Sequence, residues 1–149
     1  MSPRTEKRRV TFIGEIGVGK SSVIDRFVDG SFELYYEPTV GVDYKCKTVR
    51  YIDRDVRLQL WDCAGKDLYQ QLTETYVSNS DAVVIVCDGT YSFRRARERY
   101  AAARALVRRP CAFVLVLNKT DRTQNESRNA ASRAGTSCRR RSASRRQRG

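Results

Sequence analysis

No wholly apolar run in this 149-residue chain exceeds seven residues, Cys111 to Leu117. A membrane-spanning helix needs about 20, so none is expected. The opening stretch, MSPRTEKRR, is charged and leads into no apolar signal region, and nothing in it points to secretion. Residue 2 is serine rather than glycine, which removes N-myristoylation. No C-x-x-C pair occurs. The five cysteines (Cys46, Cys63, Cys87, Cys111 and Cys138) are odd in number and scattered, which argues against a disulfide framework. The expectation is a soluble, cytoplasmic protein of a reducing compartment, long enough for one domain with a real core.

The charge is unevenly spread. The chain holds 29 Lys+Arg, 17 Asp+Glu and no histidine, a formal net of +12. Residues 1–93 carry 12 basic and 14 acidic side chains, and residues 94–149 carry 17 and 3, so the whole excess lies in the C-terminal third. From Arg122 to Gly149 there is no Val, Ile, Leu, Met, Phe, Trp or Tyr. Such a segment has nothing apolar to offset its ordering entropy and is expected to be disordered. Arginine binds phosphate without selectivity, but no aromatic ring is interleaved for base stacking, so no specific nucleic-acid partner is expected. The divisions expected are a basic N-terminal segment, 1–8, a folded domain, 9–121, and an Arg/Ser-rich tail, 122–149.

Hydrophobic patterning places the elements. Val10–Ile13 is a short apolar run that opens into a glycine-containing loop, and a helix starts near Lys20 with Val23, Ile24, Phe27 and Val28 on one face. Tyr44–Ile52 and Val56–Trp61 read as strands joined across Asp53-Arg54-Asp55, and the second alternates as a strand with one covered face. Leu68–Val77 reads as a helix, Ala82–Cys87 as a strand covered on both sides, Arg94–Val107 as a helix, and Cys111–Leu117 as another buried strand. Strands alternating with helices give an α/β class with a mainly parallel sheet flanked by helices.

Chemistry is concentrated in four segments. Gly14-Glu15-Ile16-Gly17-Val18-Gly19-Lys20-Ser21 matches G-x-x-x-x-G-K-[ST] between a strand and a helix. Glycines let such a loop turn so that consecutive backbone N–H groups face a phosphate chain; the lysine reaches the β- and γ-phosphates and the hydroxyl meets Mg²⁺. The segment resembles the phosphate loop of a P-loop NTPase. Tyr36-Glu37-Pro38-Thr39-Val40-Gly41-Val42-Asp43, Trp61-Asp62-Cys63-Ala64-Gly65 and Asn118-Lys119-Thr120-Asp121 follow it in order.

With these four motifs the chain resembles the Ras superfamily of small GTPases over roughly residues 8–121, and the Rab branch most closely. The resemblance implies that Gly14, Gly17, Val18, Gly19, Lys20, Ser21 and Ser22 cradle the phosphates of GTP or GDP. Thr39 lies in the first switch and joins Ser21 as a Mg²⁺ ligand, while Asp62 holds the ion through water. Gly65 offers its N–H to the γ-phosphate at the start of the second switch. Asn118, Lys119 and Asp121 form N-K-x-D, whose aspartate accepts from the guanine N1–H and exocyclic amine, a donor pair that adenine lacks. Phe32 stands where the family keeps an aromatic ring against the base. Lys20, Thr39, Gly65 and Lys66 fall at the catalytic positions, and Tyr44, Trp61 and Tyr76 fall where Rab proteins present an aromatic triad to effectors and regulators.

The sequence departs from the family in places. Lys66 stands where a glutamine normally orients the attacking water, and Ile16 stands where a small residue helps admit an arginine finger, a group worth about 10³–10⁵ in rate. Both point to slow GTP hydrolysis. Ala64-Gly65-Lys66 is similar to the Rab-like GTPases of intraflagellar transport, so intracellular, vesicular or intraflagellar transport is the implied setting. After Asp121 the family's last helices and strand are not recognisable, with Thr136-Ser137-Cys138 only a faint likeness of its base contact. The domain is therefore expected to be C-terminally incomplete, with Cys111–Leu117 left as an exposed edge. The last residues, Arg145-Arg146-Gln147-Arg148-Gly149, offer no prenylatable cysteine, so no lipid anchor is expected and membrane association would be peripheral.

Overall fold

The computed structural model describes residues 5–65 and 70–122, without the side chains of Gln70, Thr90 and Tyr91. The order is β1 (Glu6–Gly14), α1 (Lys20–Val28), β2 (Val42–Tyr51), β3 (Arg54–Cys63), α2 (Gln70–Ser78), β4 (Ala82–Cys87), α3 (Thr90–Leu106) and β5 (Ala112–Leu117). Met1–Asn118 forms one compact unit and Lys119 opens a second. In the second, the described residues make a turn: Lys119 has φ 54 and its carbonyl accepts the Arg122 N–H at 3.1 Å. Past Arg122 the expected disordered tail, with Thr136 to Cys138 in it, lies outside the described residues, as does Lys66.

The sheet runs β2-β3-β1-β4-β5, with only the β2–β3 pair antiparallel. This is the α/β sheet expected of a P-loop NTPase. Two apolar clusters sandwich it, because β4 alternates with a period of two and is buried from Val83 to Cys87. Val83, Ile85 and Cys87 face one way and pack with Ile13, Val77, Ala96 and Ala103 from β1, α2 and α3, and with Val107 just past the end of α3. Val84 and Val86 face the other way and pack with Phe12, Leu60, Val18 and Ile24. Each fully buried Ile or Val side chain contributes about 1.5–3 kcal/mol.

On α1, Ile24 enters the core and Val23 and Val28 pack against it, as its spacing requires, but Phe27 stays 43 % exposed. The Phe27 ring instead carries the Lys47 ammonium, 4.9 Å from its centroid. Lys45 pairs with Asp25 at 2.6 Å and Asp29 at 3.2 Å, so two cations of β2 gather at the C-terminal end of α1, the negative end of its dipole.

The structure departs from the sequence reading at several element ends and in the burial of one strand. β1 begins at Glu6, because pairing with β3 runs from Glu6↔Val56 and carries the charged residues 6–9 out beyond the core. The β2–β3 turn is Ile52-Asp53, not Asp53 to Asp55. Tyr51 and Arg54 pair across it, leaving two residues for the turn and Ile52 in the left-handed region at φ 53. A β-branched residue gives no sequence signal for that conformation. β5 is not a buried strand. Among the described residues it forms the sheet edge, with Val114, Leu115 and Leu117 all about half exposed, as the alternative expectation of an uncovered edge had it.

Candidate functional site

Strands β3 and β4 flank β1, and the helix that follows β1 packs on one face of the sheet while those that follow β3 and β4 pack on the other. The carboxyl end of β1 is therefore a topological switch point, the place where an open α/β sheet leaves a crevice. Register brings three segments to it. Phe12 of β1 lies abreast of Asp62 of β3, and Gly14 lies abreast of Val86 of β4. Cys87 ends β4 beside Leu117, so Asn118 emerges at the same end.

The loop from Gly14 to Gly19 folds back on itself. Gly14 (φ 153), Gly17 (φ 73) and Gly19 (φ 97) take conformations that L side chains rarely adopt. Val18 is buried in the core and gives only its backbone to the loop. Gly19 caps α1 without any side-chain hydrogen bond, and no acidic residue stands in the first turn. The helix therefore points free N–H groups and the positive end of its dipole out of the loop, which is an anion-binding arrangement. Ser22 sits half-buried in that first turn.

Lys20 is 6 % exposed, and its Nζ donates to the carbonyls of Gly14 (3.2 Å) and Glu15 (2.9 Å). Burial lowers the pKa of its ammonium below the ordinary lysine value, and the Asp62 carboxylate opposes that shift. Asp62 shows the reverse balance. Burial raises its carboxyl above the usual carboxylate value, opposed by the Ser21 hydroxyl and by Lys20.

Three oxygens converge beside Lys20. The Ser21 hydroxyl donates to Asp62 Oδ2, Ser21 Oγ lies 3.0 Å from Thr39 Oγ1, and Thr39 Oγ1 lies 3.5 Å from Asp62 Oδ2. Asp62 Oδ1 is buried with no hydrogen-bond partner among the described residues. An orphaned carboxylate oxygen beside two hydroxyls is a hard, all-oxygen donor set that fits Mg²⁺, an ion that accepts a few protein oxygens and keeps several waters. Next in sequence, Cys63 is fully buried, and burial pushes its thiol up to about 12, so it remains protonated at neutral pH.

Gly65 lies flat on the loop, where a Cβ would come within 2.6 Å of Glu15 C and Ile16 N. The Asn118 side-chain amide donates to the Val18 carbonyl at 2.9 Å and packs against Gly19, tying the end of β5 to the loop. Phe32 stands 64 % exposed. Tyr44, Trp61 and Tyr76 form one contiguous aromatic row, with ring centroids 4.6 and 4.7 Å apart and planes tilted by 46° and 34°.

The family model for the Ras family matches residues 9–145. The chain belongs to the Ras family. It is 37 % identical over 117 residues to the Ras-related protein RabC of Dictyostelium discoideum, an alignment covering 76 % of this chain and 60 % of that protein. The chain thus spans less than two thirds of the curated relative's length. Within this Ras-family domain, Ser21, Thr39, Asp62, Lys20 and Gly65 come together although they are spread over 46 residues of sequence.

Two participants carry no sequence signal. Arg99 of α3 donates through Nε and Nη2 to Glu15 of the loop, at 2.9 and 2.8 Å, and through Nη2 to the Gly65 carbonyl at 3.3 Å. The pair is 84 residues apart, and no motif links one end to the other.

Proposed function

We propose that the chain is a Rab-like, guanine-nucleotide-binding molecular switch that binds GTP and GDP with Mg²⁺ and hydrolyses GTP slowly. The observation that carries this is the cluster of Ser21, Thr39 and Asp62, with its orphaned Oδ1, beside Lys20 and the uncapped start of α1. Lys20 would meet the β- and γ-phosphates, and the N–H groups of Gly17 to Ser22 would cradle the chain of phosphates. Ser21 and Thr39 would ligate Mg²⁺, and Asp62 would hold it through water. The ion, when bound, neutralises charge that develops on the phosphate oxygens. Asn118 supports the loop through Val18, and Asp121, read from the N-K-x-D motif, would select guanine with Lys119 beside it. Phe32 would close against the base.

Thr39 and Gly65 begin the two segments that nucleotide state would order or release. The Tyr44–Trp61–Tyr76 aromatic row is the surface proposed for effectors and regulators. Intracellular transport, vesicular or intraflagellar, is the proposed setting, supported by Ala64-Gly65-Lys66, with any membrane contact peripheral.

A second reading, a GTP-binding scaffold that scarcely turns over, is favoured by two residues. Lys66 cannot accept a hydrogen bond from the attacking water as a glutamine does, and Ile16 projects from the loop, 51 % exposed, where an incoming arginine would pass. Single-turnover hydrolysis of bound GTP separates the readings. The expected result is slow conversion to GDP that Lys66→Gln together with Ile16→Gly accelerates. Rapid conversion by the unaltered chain would contradict the slow-hydrolysis proposal, and no conversion in either chain would favour the scaffold.

A further inference from the structure

The guanidinium of Arg99 bridges the phosphate loop and Gly65, the start of one of the two segments that nucleotide state is proposed to order or release. One edge holds Glu15, in the loop that curls around Lys20, and the same group reaches the carbonyl of Gly65. Arg95, one turn earlier on α3, adds a second cation 3.5 Å from the same Glu15 oxygen. Arg99 and Glu15 side chains are each only 23 % exposed, so the pair is held in place more firmly than surface ion pairs are. A planar fork satisfies two acceptors at fixed angles, which a lysine ammonium does less well. Glu15 also offsets the repulsion between Arg99 and Lys20, since Arg99 stands close enough to help lower the Lys20 ammonium pKa. Gly65 is thereby pressed onto the loop by a side chain of α3 rather than by nucleotide alone.

We propose that Arg99 is a positioning residue that couples the phosphate loop to Gly65, holds Gly65 where a nucleoside triphosphate meets it, and so sets the preference for triphosphate over diphosphate. This rests on the guanine-nucleotide reading above. A ligand shifts a conformational equilibrium only by its differential affinity for the two states. Only the triphosphate meets Gly65, so holding that residue in advance removes an ordering cost from triphosphate binding and leaves diphosphate binding unaffected. Glu15 is the other half of the same device, because without it Arg99 loses its anchor on the loop.

The test titrates the full chain with a fluorescent non-hydrolysable GTP analogue and with fluorescent GDP, both with Mg²⁺. Arg99→Gln and Glu15→Gln are each expected to weaken the analogue by about 5–20-fold, within the usual range of coupling between sites, with GDP changed less than about twofold. The double variant should be no worse than either single one, because both remove one contact network. Equal losses for the two nucleotides, or no loss, would overturn the proposal and assign the pair a purely structural role. If Arg99→Gln does not fold, the nucleotide ratio of Glu15→Gln decides alone. An unaltered chain that binds neither nucleotide would remove the guanine-nucleotide reading itself and this inference with it. Binding of both with equal variant losses removes the coupling only.

Discussion

Replacing Lys20 with methionine is expected to abolish the response to nucleotide while leaving the unliganded fold nearly as stable. The ammonium is buried, and burial already lowers its pKa, so a neutral side chain of similar length relieves a desolvation cost. The carbonyls of Gly14 and Glu15 lose a donor at the same time, and the two changes oppose each other. With a phosphate chain in the loop nothing opposes the loss. Removing one member of a buried, hydrogen-bonded charge pair costs about 2–5 kcal/mol, or roughly 30- to several-thousand-fold in affinity. Calorimetric titration with GDP checks it. Retained affinity in a folded Lys20→Met chain would mean that the phosphates lie elsewhere.

The largest loss of stability is expected at Gly14. A Cβ there would collide with the Val86 carbonyl of the neighbouring strand and press on Val18 Cγ2 at 3.2 Å, and φ is 153. The clash is with sheet backbone, which cannot give way as a flexible side chain can. Overpacking costs about 1–3 kcal/mol, and backbone strain at such an angle adds about 1–3 more. Gly14→Ala should therefore lower stability by about 2–6 kcal/mol, a fall in Tm of roughly 10 °C or more. Gly30→Ala is the comparison, because Gly30 has φ 70 but open space around it and bears only the strain. Chemical denaturation of both variants checks the ranking. Similar losses would show that the close approach of β1 and β4 at Gly14 is not what requires glycine.

Much of this was legible before any coordinates. The apolar run Ala82–Cys87 is β4 end for end, because a strand buried on both faces is wholly apolar and its neighbours are not. The phosphate loop was readable for a different reason. Its function requires glycines and a lysine at fixed separations along the chain, so the motif and the geometry are the same fact. Ser21, Thr39 and Asp62 were readable as a set only through family likeness, since the sheet that brings Asp62 abreast of Phe12 is a long-range pairing.

What escaped has a physical reason in each case. The first turn of α3, Thr90 to Phe93, has no apolar period of its own and is set by Gly89 and by Ser92, whose Oγ accepts the Asp88 N–H at 2.7 Å. Ile52 occupies a left-handed turn position that its side chain disfavours, so register overrides propensity there. Arg99 looked like one of several arginines on a basic helix. Nothing along the chain distinguishes it from Arg97, whose side chain is exposed, because its role depends on Glu15 and Gly65 arriving at the same end of the sheet.

Thermal unfolding of the chain with Mg²⁺, with and without GDP, GTP or ATP, tests the central claim most directly. Ligand at 100 times its Kd adds about 2.7 kcal/mol of stability through mass action. The proposed function, with phosphates and Mg²⁺ at Lys20, Ser21, Thr39 and Asp62 and guanine selection read from the N-K-x-D motif in the sequence, predicts a rise in Tm with both guanine nucleotides, none with ATP, and loss of the rise when Mg²⁺ is chelated. A Tm that guanine nucleotides do not move, or that ATP moves equally, would contradict it.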